Sequence, residues 1–200
     1  MGWGIETDIR RTPDGHFYIS HDPQTSTAGQ RAEEFCGLFR ARPHAVIALN
    51  IKELGDEAAL IAFLESQGVI AQTFLFDMEL IEPRAGETAR RFRDLHPAVR
   101  LAARVSDRGE SIARALDIDV ASVIWLDEFD GLWCTESDVR AMKDAGRTVY
   151  AVSPELHGAP PAVTRERWAD FISWGVDGIC TDYPLALDRM VKSLEREVAA

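Results

Sequence analysis

The stretch Trp3–Asp22, WGIETDIRRTPDGHFYISHD, is the part of the chain that decides the fold. Its first half predicts a β-strand. Strand side chains alternate between two faces, so Glu6 and Asp8 point to one side. Two neighbouring carboxylates repel each other and are costly to desolvate, so such pairs usually come with a cation between them. The strand therefore predicts a cation-binding acid pair.

The second half of this stretch predicts a hairpin that brings a histidine toward the acids. Pro13-Asp14-Gly15 is a turn signal, and Phe17–Ser20 is a short return strand that delivers His21 and Asp22 toward the end of the acidic strand. Histidine suits proton transfer because its ordinary pKa lies near neutrality. A lone His-Asp pair is also typical of a turn histidine beside a capping aspartate, which is the alternative interpretation of His21.

Outward from this stretch, strand-like and helix-like runs alternate through the rest of the 200 residues, which is typical of βα units around a parallel sheet. The chain is interpreted as one domain over residues 1–200, because no linker, charge block or repeat interrupts the alternation. The predicted strands are Gly4–Ile9, Ala45–Lys52, Thr73–Met78, Arg100–Val105, Ser122–Asp127, Val149–Ser153 and Gly178–Thr181. The predicted helices are Ala32–Arg40, Glu57–Gln67, Ala85–Leu95, Gly109–Leu116, Glu136–Ala145, Arg165–Trp174 and Leu185–Glu197.

Two separated motifs give the chain a family resemblance. The pattern E-x-D, P-D-G, H-D of the opening stretch, and GVDGICTDYP at Gly175–Pro184, resemble the glycerophosphodiester phosphodiesterases and their relatives among the phosphatidylinositol-specific phospholipases C and spider-type sphingomyelinases D. The resemblance implies an α/β fold of the TIM-type (β/α)₈ barrel. It also implies that Glu6 and Asp8 bind one Mg²⁺ or Ca²⁺ and that His21 acts in general acid/base catalysis.

The resemblance also implies a first β/α unit that the predicted elements lack. Seven strands are predicted where the barrel has eight, and the length is short for a barrel, for which about 250 residues are typical. In the family the first strand carries a His-Arg-Gly motif with the partner of His21. We expect either that the native gene begins upstream of Met1 or that the barrel is naturally shortened and inactive. Unpaired barrel edges would favour self-association.

The second predicted strand, IALNIK, carries Asn50 and Lys52 on one face. The family strand commonly reads E-I-K, with the glutamate as third metal ligand, so Asn50 is a departure. An amide oxygen can bind Mg²⁺ or Ca²⁺ but brings no charge, and weaker metal binding is expected. Lys52 is assigned a catalytic role, because a positive charge stabilises the negative charge that develops on a phosphoryl group. Its alternative is a lysine that merely extends to solvent at the strand end.

Further candidates follow later strands, at the strand ends where barrel active sites are built. Arg104 could hold phosphate, or pair with a neighbouring acid instead. Trp125 and Asp127 alternate onto one face and could contact a substrate head group. The remaining candidates are Asp77, Glu155 and His157, of which Glu155 is assigned to substrate binding and His157 is equally well interpreted as an ordinary loop residue.

Composition excludes several classes of function. A formal net charge of −11 argues against nucleic acid as a partner, because phosphate backbones are bound through Lys and Arg clusters. Cys36, Cys134 and Cys180 lack C-x-x-C spacing and are interpreted as reduced structural thiols. No run approaches the roughly 20 apolar residues of a membrane helix, and no signal peptide opens the chain. A cytoplasmic protein is expected.

These observations predict a metal-dependent phosphodiester hydrolase acting on glycerophosphodiesters or related phospholipid-derived diesters. The alternative is an inactive barrel that binds a phosphorylated ligand or a partner, which Asn50 and the absent His-Arg-Gly strand favour. A lyase that forms a cyclic phosphate is a third interpretation. The head-group alcohol and the choice between Mg²⁺ and Ca²⁺ stay open.

Overall fold

The structure is a computed structural model that describes residues 3–24 and 30–198. Strands and helices alternate along it after an initial hairpin. The strands are β1 (Gly4–Arg11), β2 (Phe17–Ile19), β3 (Gln30–Arg31), β4 (Val46–Ile51), β5 (Thr73–Phe76), β6 (Arg100–Ser106), β7 (Val123–Asp127), β8 (Thr148–Val152) and β9 (Gly178–Cys180). The helices are α1 (Ala32–Arg40), α2 (Glu57–Ser66), α3 (Met78–Ile81), α4 (Glu87–Leu95), α5 (Ile112–Leu116), α6 (Glu136–Asp144), α7 (Pro161–Ser173) and α8 (Pro184–Val198).

The chain divides into two compact units. The first comprises Met1–Arg104 with Ala115–Val123, and the second comprises Val105–Arg114 with Ile124–Ala200. In the first unit the strand order is β3-β2-β1-β4-β5-β6, with β1, β4, β5 and β6 parallel to one another. In the second unit the order is β7-β8-β9, and β8 and β9 are parallel.

The predicted hairpin is confirmed. β2 runs antiparallel to β1, with Ile9 opposite Ile19, and the backbone N–H of Gly15 donates to the carbonyl of Thr12 over 2.9 Å to close the turn. Gly15 has a φ of 95°, a conformation that glycine adopts without steric cost. Arg11 adds a side-chain bond to the Gly15 carbonyl. The turn therefore forms from the residues that predict it.

The first unit places its core between the sheet and its helices. In β4, Ile47, Leu49 and Ile51 alternate with polar and small residues and are all buried. Helix α2 contributes Leu60 and Leu64, which are buried as well. Because successive strand side chains face opposite ways, packing one face of β4 with apolar residues leaves the other face for Asn50 and Lys52.

The second unit shows that the closing signature is structural. Asp177 accepts hydrogen bonds from Lys143 Nζ and from the backbone N–H of Val149, joining α6, β8 and the start of β9. A Cβ atom on Gly178 would lie 2.7 Å from the ring of Tyr150, so a side chain there would clash with β8. Gly175 ends α7 with a φ of 79°.

Several predicted boundaries are wrong for local reasons. The third predicted strand ends at Phe76 and not at Met78, because Asp77 adopts a left-handed conformation with φ 69° and starts the short helix α3. Helix α7 begins at Pro161 rather than Arg165, since proline is favoured in the first turn of a helix. Gly109, with φ 111°, precedes a later start of α5 at Ile112. The helix predicted from Ala85 begins at Glu87, after Gly86 in a left-handed conformation.

Candidate active site

The predicted acid pair lies on β1 beside β4. In the parallel register Glu6 is opposite Ala48 and Asp8 is opposite Asn50, so these side chains share one face of the sheet. Lys52, which follows β4, places its Nζ 2.9 Å from Asp8 Oδ1. The Lys52 and Asp8 side chains are 23% and 15% exposed, which makes this ion pair mostly shielded from water.

The electrostatics of the pair show a shortage of positive charge. Burial and the neighbouring Asp8 carboxylate raise the pKa of Glu6 to about 7, and the attraction of Lys52 offsets only part of this effect. Asp77 adds to the rise and Arg104 opposes it. When two carboxylates share one face without enough cationic partners, the pKa of one of them rises, and here that one is Glu6. An added cation would relieve this repulsion.

The two ends of the Asn50 amide differ: its NH₂ group has a hydrogen-bond partner and its carbonyl oxygen has none among the described residues. Its Nδ2 donates to Asp77 Oδ2 over 2.9 Å, whereas its Oδ1 is buried and has no hydrogen-bond partner among the described residues. Leaving a buried acceptor unpaired costs about 1–3 kcal/mol. Buried polar atoms are nearly always paired, so the Asn50 oxygen is a position where an external ligand is expected.

Asp77 and Arg104 form the buried side of this cluster. Arg104 Nε lies 2.8 Å from Asp77 Oδ1, and Arg104 Nη2 lies 2.5 Å from Asp77 Oδ2, a bidentate ion pair. The backbone N–H of Arg104 donates to Glu79 Oε1 over 2.6 Å. Burial raises the pKa of Glu79 to about 7. Arg104 thus takes the second of its predicted roles, pairing with a neighbouring acid.

These side chains present a donor set that fits a hard cation. Two carboxylates and one buried amide oxygen are ligands of the kind that Mg²⁺ and Ca²⁺ take. Within residues 3–24 and 30–198, no three His, Cys, Asp or Glu side chains are grouped so as to hold a metal ion. The set is therefore two acids with a neutral third donor, and Mg²⁺ in particular is often bound by one or two carboxylates together with substrate phosphate.

The backbone of His21 is hydrogen-bonded close to β1, but its ring is not directed toward the acid pair. The N–H of the preceding Ser20 donates to the Asp8 carbonyl over 3.2 Å, and Arg10 donates two hydrogen bonds to the His21 carbonyl. The ring pairs with Asp22, Nδ1 to Oδ1 3.1 Å, and the His21 side chain is 78% exposed. The hairpin delivers the backbone as predicted and leaves the imidazole facing solvent.

His157, in the second unit, pairs with an acid that is distant in sequence. His157 Nε2 lies 2.6 Å from Asp127 Oδ1, and the Asp127 side chain is only 5% exposed. The His157 ring also contacts Phe129, with centroids 4.6 Å apart. A carboxylate that fixes one ring nitrogen orients the other for proton transfer. The sequence places His157 among the candidates at strand ends, with an ordinary loop residue as the equal alternative, and its bond to Asp127 is visible only in the folded chain.

The other predicted substrate residues have structural partners. Glu155 accepts from the Ser153 and Thr181 hydroxyls and from the backbone N–H of Asp182, which ties the loop after β8 to the closing signature. Trp125 is buried on β7, only 5% exposed. Asp127 is held by His157, as described. No ligand contact follows from these bonds, and the predicted binding roles stay predictions.

The cysteines are free thiols: Cys36 and Cys134 are buried, and Cys180 is partly buried. Burial raises the pKa of Cys36 to about 11 and that of Cys134 to about 12. Both thiols therefore stay protonated at neutral pH, which is typical of structural cysteines. In the part of the chain that the structure describes, no helix has the length and apolar character to cross a bilayer.

Comparison with solved structures shows a strong likeness of fold. A glycerophosphodiester phosphodiesterase from Parabacteroides distasonis matches with a TM-score of 0.66 and 15% identity, over 96% of this chain and 85% of that chain. A phosphodiesterase from Oleispira antarctica, solved with the product sn-glycerol-3-phosphate, matches with a TM-score of 0.65 and 17% identity over the same shares. No protein-family model matches the sequence, and a search of curated proteins found no match. The likeness confirms the predicted α/β fold of the TIM-barrel phosphodiesterases.

Proposed function

We propose that this protein is a cation-dependent phosphodiester hydrolase acting on glycerophosphodiesters or related phospholipid-derived diesters. The observation that carries the proposal is the partly buried Glu6–Asp8 pair, whose nearest cation is Lys52 at 2.9 Å from Asp8, in a chain with the fold of solved phosphodiesterases. The product named for the Oleispira antarctica protein, sn-glycerol-3-phosphate, supports the choice of substrate class.

Glu6, Asp8 and Asn50 would hold one Mg²⁺ or Ca²⁺. A bound ion would polarise a phosphoryl oxygen and favour attack on phosphorus. The Lys52 ammonium, held by Asp8, supplies a fixed positive charge for the negative charge that develops on the phosphoryl oxygens. Replacing Lys52 by Met is expected to lower the hydrolysis rate by about 10².

Histidine is the side chain that most often transfers protons in catalysis, and His21 is the predicted candidate. His21 follows the hairpin beside the acid pair and keeps the acid/base role that the opening motif predicts. Loss of a general acid or base costs about 10²–10⁴ in rate, so alanine at the acting histidine will show clearly.

The competing proposal is an inactive domain that binds a phosphorylated ligand. Two observations favour it: Asn50 contributes no charge to the cation site, and the Arg104 guanidinium is already paired with Asp77. A domain of this kind would bind glycerol phosphate without turnover.

The test is hydrolysis of glycerophosphocholine by the full chain, with Mg²⁺, with Ca²⁺ and with EDTA. Glu6→Gln is the diagnostic variant. Glu136→Gln is the matched control, because Glu136 is an exposed helix residue paired with Arg140 and its substitution makes the same chemical change. His21→Ala tests the predicted proton-transfer residue, and analysis of the product separates a hydrolase from a cyclising lyase.

We expect turnover that EDTA abolishes, that Glu6→Gln lowers at least a hundredfold and that Glu136→Gln leaves unchanged. Turnover that persists in EDTA and in Glu6→Gln would contradict the cation-dependent site. Binding of glycerol phosphate without any turnover would support the inactive domain.

A further inference from the structure

The amide of Asn50 has an orientation that a second residue determines. An ionised carboxylate can only accept hydrogen bonds, so the Asn50 group that faces Asp77 Oδ2 at 2.9 Å must be the NH₂ group. The carbonyl oxygen is then turned the other way, where it is buried without a hydrogen-bond partner in the described residues. Asp77 therefore decides which end of the amide is left for a ligand.

Asp77 is itself held in place by its backbone and by Arg104. Its φ of 69° is the only left-handed backbone angle of a non-glycine residue in the described part of the chain, and aspartate tolerates this region better than most residues. The bidentate Arg104 guanidinium binds both Asp77 oxygens. Since a guanidinium has only donors, both Asp77 oxygens act as acceptors, and the Asn50 NH₂ group has a fixed partner.

Asn50 lies in the same row as the acid pair. Asn50 is opposite Asp8 in the register of β1 and β4, and Glu6 lies on the same face two residues earlier. An oxygen in this row adds a neutral donor to two carboxylates, whereas an NH₂ group in the same place would repel a cation. With the Asn50 oxygen toward the cation the site has three oxygen ligands. With the NH₂ group there it has two, and the amide dipole repels the cation.

We propose that Asp77 is a positioning residue for the cation site: it holds the Asn50 NH₂ group so that the Asn50 carbonyl oxygen serves as third ligand beside Glu6 and Asp8. The inference rests on the proposed function, since it needs the acid pair to bind a cation. Asp77 touches neither cation nor substrate in this arrangement and acts through Asn50.

The test is the affinity of the chelator-treated protein for Mn²⁺, measured from the EPR signal of free Mn²⁺, which requires no turnover. Asp77→Asn leaves one acceptor oxygen where Arg104 and Asn50 both donate, so the Asn50 NH₂ group loses its fixed partner and the amide is no longer held with its oxygen toward the cation. We expect Asp77→Asn, which removes an outer partner of a ligand, and Asn50→Ala, which removes the ligand itself, each to weaken Mn²⁺ binding at least tenfold.

The double variant Asn50→Ala/Asp77→Asn separates positioning from simple loss of charge. If Asp77 acts through Asn50, the double variant binds Mn²⁺ no more weakly than Asn50→Ala alone. If Asp77→Asn weakens binding by the same factor in both backgrounds, its effect is only electrostatic and the inference is overturned. The swap Asn50→Asp/Asp77→Asn keeps the total charge and the hydrogen bond with its polarity reversed, and it should restore binding at least to the starting value.

The outcomes distinguish this inference from the proposed function. A starting protein that binds Mn²⁺, together with an Asn50→Ala variant that binds equally well, overturns the inference alone. A starting protein that does not bind Mn²⁺ overturns the cation site and the inference together. Should Asp77→Asn fail to fold because Arg104 loses its partner, Asn50→Ala still tests the inference, which is overturned if that variant binds Mn²⁺ as tightly as the starting protein.

Discussion

The acid pair of the first unit and the Glu128 carboxylate of the second unit are both shielded from water, but their partners differ. Glu128 is 3% exposed and receives two hydrogen bonds from Arg167 and two more from backbone N–H groups. Glu6 and Asp8 share Lys52, and the pKa of Glu6 rises to about 7. Glu128 thus has all the hydrogen-bond and charge partners that a structural acid needs, whereas Glu6 and Asp8 have too few cationic partners.

The energetic reason is the cost of burying charge. An unpaired buried ion loses several kcal/mol of solvation, and a chain that only needs stability satisfies it locally, as Arg167 does for Glu128. Arg167 also packs its guanidinium against the rings of Phe171 and Trp174, at 4.7 and 4.6 Å from their centroids. A site left under-satisfied is less stable by itself and gains from a ligand.

The largest expected effect is on stability, at the buried Glu128–Arg167 ion pair. Arg167→Met leaves Glu128 buried without its charge partner, and we expect the free energy of unfolding to fall by about 3–5 kcal/mol. Arg140→Met, which breaks an exposed pair with Glu136, should change it by about 0.5 kcal/mol or less. Denaturant unfolding of both variants measures the difference, and equal losses would contradict the contrast between the two clusters.

The next effect is at the Glu6–Asp8 pair, where the free energy of unfolding depends on pH. The folded-state pKa of Glu6, about 7, lies above its ordinary value of 4.5, so between these values the folded state holds more protons than the unfolded state. Stability must therefore fall as pH rises through this window. Because Glu6 is partly exposed, the full shift is discounted to about 1–2 kcal/mol.

Glu6→Gln isolates this contribution. In EDTA, the starting protein should lose stability from pH 5 to pH 7 by about 1–2 kcal/mol more than Glu6→Gln. Glu79, whose pKa is also raised to about 7, acts in the same direction in both proteins and cancels in the comparison. Parallel curves for the two proteins would mean that Glu6 is not destabilised in the folded state.

The smallest effect concerns Lys52, the lysine that is paired with Asp8. Lys52 competes with a metal ion for Asp8, so Lys52→Met should tighten Mn²⁺ binding about threefold, the range expected for a partly exposed ion pair. The same variant loses hydrolysis, so affinity and turnover move in opposite directions. Weaker Mn²⁺ binding in Lys52→Met would show that Lys52 supports the acids rather than competing for them.

The sequence predicts the parts of this picture that are local. The alternation of β1 places Glu6 and Asp8 on one face, and Pro13-Asp14-Gly15 specifies the hairpin because its turn chemistry lies within a few residues. Parallel neighbours β1 and β4 carry their polar residues at matching positions, so the pairing of Asp8 with Asn50 follows once the strands are correctly identified.

The rest depends on contacts that no local pattern encodes. The Asn50–Asp77–Arg104 chain requires three strands in register and a left-handed Asp77, which reads in the sequence as one more residue of a strand. The His157–Asp127 bond joins residues 30 apart through tertiary structure alone. Conversely, the sequence motif at His21 predicts a catalytic ring, and its exposure is visible only in the folded chain.

The most direct test of the central claim is calorimetric titration of Mg²⁺ and Ca²⁺ into the chelator-treated protein at pH 7, in two buffers of different ionisation enthalpy. Because the pKa of Glu6 is about 7, a cation bound there must displace part of its proton. We predict one bound cation with release of roughly half a proton, and neither in Glu6→Gln. Absence of binding, or binding that Glu6→Gln leaves unchanged, would contradict the account.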